Sequence, residues 1–334
     1  MFFEESKILS NKFTYDYSEC KLEKFNIIYG ITENFLLGAV ISMESIIKNN
    51  PDMSFNFHFF IEKISANNLH KLEQTAKQYQ TTISVSLIDN NSLAFLPVTE
   101  RWPYATFYRI IGFDLLSDKY DTVLYLDADV MCKGSLSELP NISLDNYYLA
   151  AVPDLKGLQD RGKKLKIIND SKYFNSGVML ANLKEWKKHD LTDKFFTSLS
   201  NNPNNSLFPD QDILNIIARD KVYYLNKNYN YLYGMDTEIK VKNLDYYKDK
   251  LTDDVKLIHY VGVSKPWHSW VNYPSAKFFI DIYNDSSWST VPLEKANTPK
   301  QLKKKSSHER LQKKYILSII SHLSYISAKI KRKF

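Results

Sequence analysis

Apolar and polar positions follow a strand–helix rhythm along most of the chain. Short apolar runs typical of buried strands are followed by segments whose apolar residues recur at helical spacing. The strands predicted from these runs lie at residues 25–29, 55–61, 82–88, 123–126, 147–152, 178–183 and 255–260. The helices predicted from the spacing lie at residues 36–47, 66–79, 104–116, 183–196 and 213–217, with Ser65 as the cap of the second. This alternation predicts an α/β fold with a mostly parallel sheet and right-handed crossovers.

The segments outside this rhythm are predicted to be peripheral or mobile. Residues 1–24 show no firm period and are expected to form an N-terminal extension. The Lys- and Gly-rich residues 155–172 indicate a mobile loop that can serve as a lid. No repeat and no run of 18 apolar residues occurs. No apolar segment of signal length follows Met1, so we expect the protein on the cytoplasmic side of a membrane.

Composition limits how phosphate can be bound. The 334 residues are 44% hydrophobic, enough for a large core, but include only nine glycines and neither a Walker pattern nor a G-x-G-x-x-G. A phosphate site would therefore rely on metal. The net charge of +6 comes from the end of the chain, since residues 301–334 hold ten Lys or Arg against one acid. The rest of the chain is weakly acidic, which disfavours nucleic-acid binding.

The predicted strand at Val123–Leu126 ends in two carboxylates, Asp127 and Asp129, separated by one alanine. Side chains alternate in an extended chain, so both carboxylates point the same way. Ligands of open α/β sheets bind beyond the carboxyl ends of the strands, and paired carboxylates suit Mg²⁺ or Mn²⁺. The pattern is not specific alone, because Asp210 and Asp212 form a second Asp-x-Asp, where either residue would also suit a helix N-cap.

Four motifs in one order make residues 25–275 resemble the retaining glycosyltransferases of family 8. These motifs are Leu126-Asp-Ala-Asp129, Tyr173-Phe-Asn-Ser-Gly177, Asp210-Gln-Asp212, and His259-Tyr-Val-Gly262 with Lys265-Pro-Trp-His268. The resemblance implies a GT-A type fold, with a Rossmann-like, mostly parallel sheet and flanking helices, as the catalytic domain. The stretch from Lys265 to Pro274 and the basic C-terminus are most similar to the bacterial lipopolysaccharide core glucosyl- and galactosyltransferases.

The resemblance implies that Asp127, Asp129 and His259 bind Mn²⁺. The donor types agree, because an imidazole beside two carboxylates favours Mn²⁺ over Mg²⁺, although Mg²⁺ is possible. A lone histidine in a strand is more often a structural residue bonded to a carbonyl. The carboxylate pair and the Gly262-x-x-Lys265 segment that follows favour His259 as a metal ligand.

The resemblance also implies a UDP-sugar donor and assigns roles to ten further residues. Those implied to hold the donor or its sugar are Gly30, Thr32, Asn34, Arg109, Asn175, Gly262 and Lys265. Those implied to be catalytic are Gln211, Asp210 and Asp154. Gln211 corresponds to the residue beside the anomeric carbon, and a neutral amide is no strong nucleophile, which favours front-face attack with retention. Structural alternatives are a turn former for Asn175, a helix cap for Asp210 and a solvated surface lysine for Lys265.

Thr32 departs from the family pattern. The family usually has an aspartate there that accepts a hydrogen bond from the uracil N–H, with Asn34 matching two residues on. A threonine hydroxyl accepts that bond without charge. Recognition of the uracil base is therefore the part of the UDP-sugar assignment that the sequence pattern supports least.

The sequence thus predicts a metal-dependent retaining α-glycosyltransferase that moves glucose or galactose from a UDP-sugar to a lipid-linked lipopolysaccharide core oligosaccharide. The alternatives are another bacterial surface-glycan or protein glycosyltransferase of the family, a metal-dependent nucleotidyltransferase, or a non-catalytic sugar-binding scaffold. A nucleotidyltransferase would need a third carboxylate for a second metal.

The C-terminal region, residues 276–334, is predicted to be helical and to end in a membrane-associating tail. Within residues 303–334, apolar residues recur at steps of three and four while basic residues cluster at the two ends. An interfacial helix needs one apolar face and attraction to anionic lipid. We therefore expect peripheral attachment to the inner face of the bacterial plasma membrane, the alternative being packing on the catalytic domain or on a second copy.

Overall fold

The computed structural model describes residues 2–19, 23–99, 102–165, 172–201 and 208–331. The strands of these residues are β1 Leu9–Asp16, β2 Phe25–Ile31, β3 Phe55–Ile61, β4 Thr82–Ile88, β5 Thr122–Leu126, β6 Val130–Cys132, β7 Leu149–Pro153, β8 Phe174–Asn182, β9 Val222–Tyr224, β10 Tyr231–Leu232 and β11 Leu257–His259. The α-helices are α1 Glu5–Ile8, α2 Leu36–Asn49, α3 Ala66–Gln78, α4 Tyr108–Leu116, α5 Lys156–Lys164, α6 Leu183–Lys188, α7 Leu191–Asn201, α8 Pro209–Ile217, α9 Thr237–Val241, α10 Lys277–Asp285, α11 Pro299–Leu311 and α12 Tyr315–Lys331.

The central sheet has the strand order β1-β4-β3-β2-β5-β8-β7-β9. Strands β2 to β5, β7 and β9 run in one direction, while β1 and β8 run in the other. Both faces are covered, since Ile27 and Tyr29 enter one core cluster and Ile28, between them, enters the other. This explains why β2 and β5 are nearly continuous apolar runs. The predicted α/β class with a mostly parallel sheet is confirmed.

Most of the predicted site residues lie together at the carboxyl end of β5, where β8 and β11 also bring polar side chains. The carboxyl end of β5 pairs with β8 at Leu126 and Val178, so Asn175–Gly177 lies beside Asp127. A smaller sheet of order β10-β11-β6 pairs His259 with Val130. Residues far apart in sequence are thereby brought to one crevice at the end of β5.

Three local predictions need correction. Residues 9–16 belong to the predicted N-terminal extension but form the antiparallel edge strand β1 of the central sheet. Most of these residues are exposed, and their sequence shows no period. The predicted helix at residues 183–196 is two helices, α6 and α7, separated where Asp190 has a positive φ of 51°. The predicted loop at residues 155–172 contains α5, while residues 166–171 lie outside the described chain.

The C-terminal region ends in a helical hairpin of α11 and α12. A capping box joins Thr298 and Gln301 at the start of α11. The two helices meet through serines, and the Ser306 hydroxyl donates to the Ser318 carbonyl oxygen at 2.9 Å. In α12 the buried residues are Ser318 and Ser321, whereas its large apolar side chains are exposed. Residues 332–334, the end of the predicted membrane tail, are outside the described chain.

No helix in the described ranges combines the length and apolar character needed to cross a bilayer.

Candidate metal and sugar-nucleotide site

Asp127, Asp129 and His259 form a cluster suited to a metal ion. Each offers one ligand atom, and these atoms lie within 4.8 Å of one another. His259 Nε2 lies 3.2 Å from Asp129 Oδ1 and 3.7 Å from Asp127 Oδ2. Two hard oxygens and one imidazole nitrogen form a donor set that fits Mn²⁺ or a similar divalent ion.

The electrostatics of this cluster favour a charged Asp129 carboxylate. Burial would raise the pKa of Asp129, but the positive charges of Lys265 and His259 outweigh it and hold the pKa well below its usual range. Burial would lower the pKa of His259, but Asp129 and Asp127 together raise it. A divalent ion bound here would compete with a proton for the imidazole.

Asn230 fixes the orientation of His259 and was not identified from the sequence. The Asn230 amide donates to Asn175 Oδ1 at 2.9 Å, which leaves its own oxygen to accept from His259 Nδ1 at 3.0 Å. His259 Nε2 then faces the two aspartates. Asn230 lies in a polar turn with no pattern that distinguishes it from its asparagine neighbours.

No side chain can be added at Gly177, beside the cluster. A Cβ there would lie 2.3 Å from His259 Cε1 and 2.7 Å from Asp127 Oδ2. The strand β8 can approach the ligands only because this residue is glycine.

Arg109 lies behind the cluster and joins it to the second Asp-x-Asp. Its guanidinium is 3.1 Å from Asp127 Oδ1 and 3.3 Å from Asp210 Oδ2, and it also donates to the Ser176 carbonyl oxygen at 2.7 Å. Its Nε has no partner among the described atoms. Burial raises the pKa of Asp210 and Arg109 opposes this shift. Arg109 thus places positive charge beneath the crevice.

Gln211 and Asp154 form a hydrogen-bonded pair that faces the crevice. Gln211 Nε2 donates to Asp154 Oδ2 at 2.9 Å, and Gln211 Oε1 accepts from the Ser176 amide at 3.0 Å. Asn175 Nδ2 also donates to Asp154 Oδ2, at 3.2 Å. These bonds hold the Gln211 amide in one orientation on the first turn of α8.

Asp212 has a different environment from Asp210. It is fully buried and accepts two hydrogen bonds from Arg161 of α5, with Arg161 Nε 2.8 Å from Asp212 Oδ1. Tyr173 also donates to Asp212 Oδ1, at 2.7 Å. Asp212 therefore attaches α5 to the rim of the crevice.

The sequence left open that Asp210 or Asp212 is the N-cap of α8, and neither residue is. The helix begins at Pro209, with Phe208 at the N-cap, and both aspartates lie in its first turn. Proline suits this first position because it needs no hydrogen-bond partner for a backbone N–H. Asn175 is likewise within β8 and does not form a turn.

Lys265 and Gly262 come from the loop after β11. The Lys265 ammonium contacts the Asp129 carboxylate and donates to the Tyr260 carbonyl oxygen at 2.8 Å. Gly262 has φ of +103°, a conformation that favours glycine. The Lys265 side chain is half-buried against the cluster and 14% exposed, unlike a solvated surface lysine.

A cavity of about 480 Å³ brings together ten of the thirteen predicted site residues. They are Arg109, Asp127, Asp129, Asp154, Asn175, Asp210, Gln211, His259, Gly262 and Lys265. Gly30, Thr32 and Asn34 do not line it, although a Cβ at Gly30 would lie 3.2 Å from the backbone nitrogen of Arg109. Apolar lining that the sequence did not single out comes from Trp102, Leu155, Leu158 and Phe208.

Comparison with known families identifies the same regions. The family description "Glycosyl transferase family 8" matches residues 26–271, and "Glycosyl transferase family 8 C-terminal" matches residues 273–329.

Individual relatives match over nearly the whole chain. A lipopolysaccharide 1,2-glucosyltransferase of Escherichia coli is 40% identical over 308 residues, covering 91% of each chain. A lipopolysaccharide 1,3-galactosyltransferase of Salmonella typhimurium is 34% identical over 336 residues, covering 98% of each. Among solved structures, the galactosyltransferase LgtC in complex with donor and acceptor sugar analogues superposes with a TM-score of 0.66 at 26% identity, covering 79% of this chain and 96% of that one.

Proposed function

The chain belongs to glycosyltransferase family 8, and we propose that it is a metal-dependent retaining α-glycosyltransferase that transfers glucose or galactose from a UDP-sugar to a lipopolysaccharide core oligosaccharide. The observation that carries this proposal is the cluster of Asp127, Asp129 and His259 in a crevice that also holds Lys265. When bound, a divalent ion would neutralise diphosphate charge at these three ligands. The named activities of the two lipopolysaccharide relatives support the substrate class.

The positive groups around the crevice suit a diphosphate leaving group. Arg109 is buried and Lys265 is half-buried there, and each is paired with a carboxylate of the cluster. Preorganised cations in a site that excludes water stabilise charge that develops in the transition state. We assign Lys265 to the leaving diphosphate and Arg109 to the donor side.

The carboxylates in and behind the crevice support a mechanism without a covalent enzyme intermediate. Asp210 is paired with Arg109, Asp212 with Arg161, and Asp154 accepts hydrogen bonds from Gln211 and Asn175. Gln211, a neutral amide, would position the sugar. In this scheme the bond from the anomeric carbon to the diphosphate breaks as the acceptor oxygen bonds from the same face, and the acceptor proton passes to the diphosphate oxygen.

The acceptor would enter along the apolar wall of the cavity. Leu155 and Leu158 line the cavity, and Leu155 directly follows Asp154 in the chain. Arg161 and Gln159 fasten α5 to the catalytic domain through Asp212 and Asp154. We propose that α5 covers the acceptor side of the cleft, in the role of the predicted lid.

We further propose that α12 holds the enzyme on the inner face of the plasma membrane, where a lipid-linked acceptor lies. Its outward side chains include Ile316 and Ile319, which are 76% and 61% exposed. Basic residues flank this face, and each contributes about 1 kcal/mol near an anionic surface. Burying serines while exposing isoleucines suits a helix whose apolar face meets lipid.

A donor assay tests the activity. The full-length chain is incubated with Mn²⁺ and UDP-glucose or UDP-galactose, with and without a lipopolysaccharide core acceptor, and products are separated. We expect release or transfer of hexose, and NMR of the product should show the α-anomer. Asp129→Asn should abolish turnover, while Asp114→Asn, which alters a buried carboxylate bonded to the Phe2 and Phe3 amides, should not. Nucleotidyl transfer, or no reaction with either donor, would contradict the proposal.

A further inference from the structure

The C-terminal hairpin reaches the metal-site loop through one buried histidine. His308, on α11, is fully buried. Its Nε2 lies 3.1 Å from Asp236 Oδ1 and 3.0 Å from the Ser264 hydroxyl, and its Nδ1 lies 2.7 Å from the Tyr273 hydroxyl. Ser264 directly precedes Lys265 in the chain. A residue near the end of the chain thus contacts the loop that carries two predicted donor residues.

The hydrogen bonds around His308 have consistent directions. A carboxylate only accepts, so His308 Nε2–H donates to Asp236, and the Tyr273 hydroxyl can then donate to Nδ1. The Ser264 hydroxyl also donates to Asp236 Oδ1, at 2.7 Å. Lys304 lies 3.1 Å from the other oxygen, Asp236 Oδ2. Asp236 therefore joins α11 to the loop, with donors from both sides.

Backbone hydrogen bonds hold this loop near its two ends, from the Val261 amide to the His259 carbonyl oxygen and from the His268 amide to the Lys265 carbonyl oxygen. After β11 ends at His259, residues 261–265 take part in none of the described strands or helices. Gly262 has the left-handed conformation noted above, and the Lys265 amide donates to the His268 ring at 3.0 Å. Side-chain contacts must therefore fix the position of the Lys265 backbone relative to Asp129.

We propose that His308 is a positioning residue for the donor-diphosphate site, acting through Asp236 and Ser264 on the Gly262–Lys265 loop. It touches neither the metal cluster nor the cavity lining. The C-terminal hairpin is, in this view, a structural part of donor binding as well as a surface feature. The role in donor binding rests on the proposed function, whereas the ordering of the loop does not.

Amide hydrogen exchange tests the ordering of the loop in the full chain without ligands. We compare His308→Ala, His308→Gln and His58→Ala with the unsubstituted protein. The amides of Val261 and Lys265 should exchange about tenfold faster in His308→Ala, because local opening becomes easier. His308→Gln keeps a side-chain N–H for Asp236 and should restore most of the protection. His58, on β3, is a matched control, since it is buried and hydrogen-bonded to Asn26 on β2.

The outcomes separate a positioning role from general stability. Unchanged exchange in His308→Ala overturns the inference, and so does an equal increase in His58→Ala. Should His308→Ala fail to fold, Ser264→Ala removes the loop's own bond to Asp236 and should give the same local increase.

Donor binding tests the second half of the inference. With Mn²⁺ present, His308→Ala should raise the Kd of UDP about tenfold and the KM of the UDP-sugar similarly, with a smaller effect on kcat. His308→Gln should recover most of the affinity, and His58→Ala should leave it unchanged. An unchanged Kd with faster loop exchange overturns the donor role. If the unsubstituted chain binds no UDP with Mn²⁺, the proposed function fails and the donor role fails with it, while the exchange experiment still decides whether His308 orders the loop.

Discussion

The His259 ring donates from Nδ1 to the side-chain oxygen of Asn230 over 3.0 Å. This bond settles which ring nitrogen faces Asp127 and Asp129. Hydrogen-bond partners of this kind orient metal ligands and contribute to metal affinity.

Asn230→Ala should therefore weaken metal binding without removing a ligand. We expect a loss of about 10- to 100-fold in Mn²⁺ affinity, the usual effect of removing an outer partner of a ligating histidine. Titration of Mn²⁺ by calorimetry measures it. Asn50→Ala provides a control, since Asn50 is also buried but bonds to Leu136 and Ile46. Equal Mn²⁺ affinity in the Asn230 variant and the unsubstituted chain would show that His259 needs no such support.

Gln211→Ala should lower kcat by roughly 10- to 1,000-fold, as expected when one preorganised polar contact is lost. The variant also removes the Gln211 hydrogen bonds to Asp154 Oδ2 and the Ser176 amide, while Asn175 still donates to Asp154 Oδ2. Steady-state kinetics with a saturating donor give kcat, and thermal unfolding checks the fold. Mass spectrometry of the protein during turnover provides a second measurement. A hexose covalently attached to any side chain would contradict front-face attack.

Two charges on the outer face of α12 should release the protein from membranes. Ile316→Glu combined with Ile320→Glu should weaken binding to anionic vesicles by tenfold or more, because burial of each such side chain contributes about 1.5–3 kcal/mol. Hydrolysis of the UDP-sugar should not change. Leu244→Glu, at another exposed apolar residue, is the matched control. Loss of a lipid-independent dimer in the double variant, with vesicle binding unaffected, would instead assign this face to a second copy of the chain.

The two α12 substitutions test membrane attachment more specifically than truncation of the chain after Thr298 would. Such a truncation removes α11 together with α12, and with α11 the buried His308. An effect on the donor site could not then be separated from one on attachment.

Asp236→Asn should change the acid dependence of stability. Burial alone would raise the pKa of Asp236, but hydrogen bonds from His308, Ser264 and Lys304 lower it well below its usual range. A carboxyl with a depressed folded-state pKa contributes stability above its unfolded pKa of about 3.9 and loses it as pH falls further. The variant should therefore be less stable at pH 7, and the difference should shrink below about pH 4. Urea unfolding across this range measures it.

The exposed Asp249 supplies the control for that series. Asp249→Asn should leave the pH profile of the unfolding free energy nearly unchanged. A stability difference for Asp236→Asn that stays constant from pH 7 to pH 3 would mean that the charge of Asp236 does not stabilise the fold.

Elements with a strong apolar pattern were predictable from the sequence. Strands β3 and β4 have the predicted bounds, and Ser65 caps α3 by accepting from the Asn68 amide. The family and the GT-A type fold were also predicted and are confirmed by the family matches and the structural similarity to LgtC. The four motifs in their order identify the family and fold because each lies at the end of a strand or helix that faces the same crevice.

The missed elements lack such patterns for physical reasons. Helix α5 carries Gly157 and Gly162, which lower helix propensity, and its single large apolar residue sets no helical period. Contacts such as Arg161 with Asp212 stabilise it. Strand β1 is an edge strand with few buried residues, so its sequence lacks a clear alternation. The positions of Asn230 and His308 depend on tertiary contacts with residues 29 to 72 positions away. Local sequence contains no signal for such contacts.

The distribution of the site along the chain has a consequence for its biosynthesis. Asp127 and Asp129 are translated 130 residues or more before their partner His259, which pairs with them only when β11 joins β6. Domains fold as units while synthesis proceeds from the N-terminus. The nascent chain can thus assemble β2 to β5 early, yet it cannot close the metal cluster until β11 has emerged from the ribosome. The loop contact from α11 follows later still, so a prematurely terminated product that retains the whole of the central sheet lacks this contact.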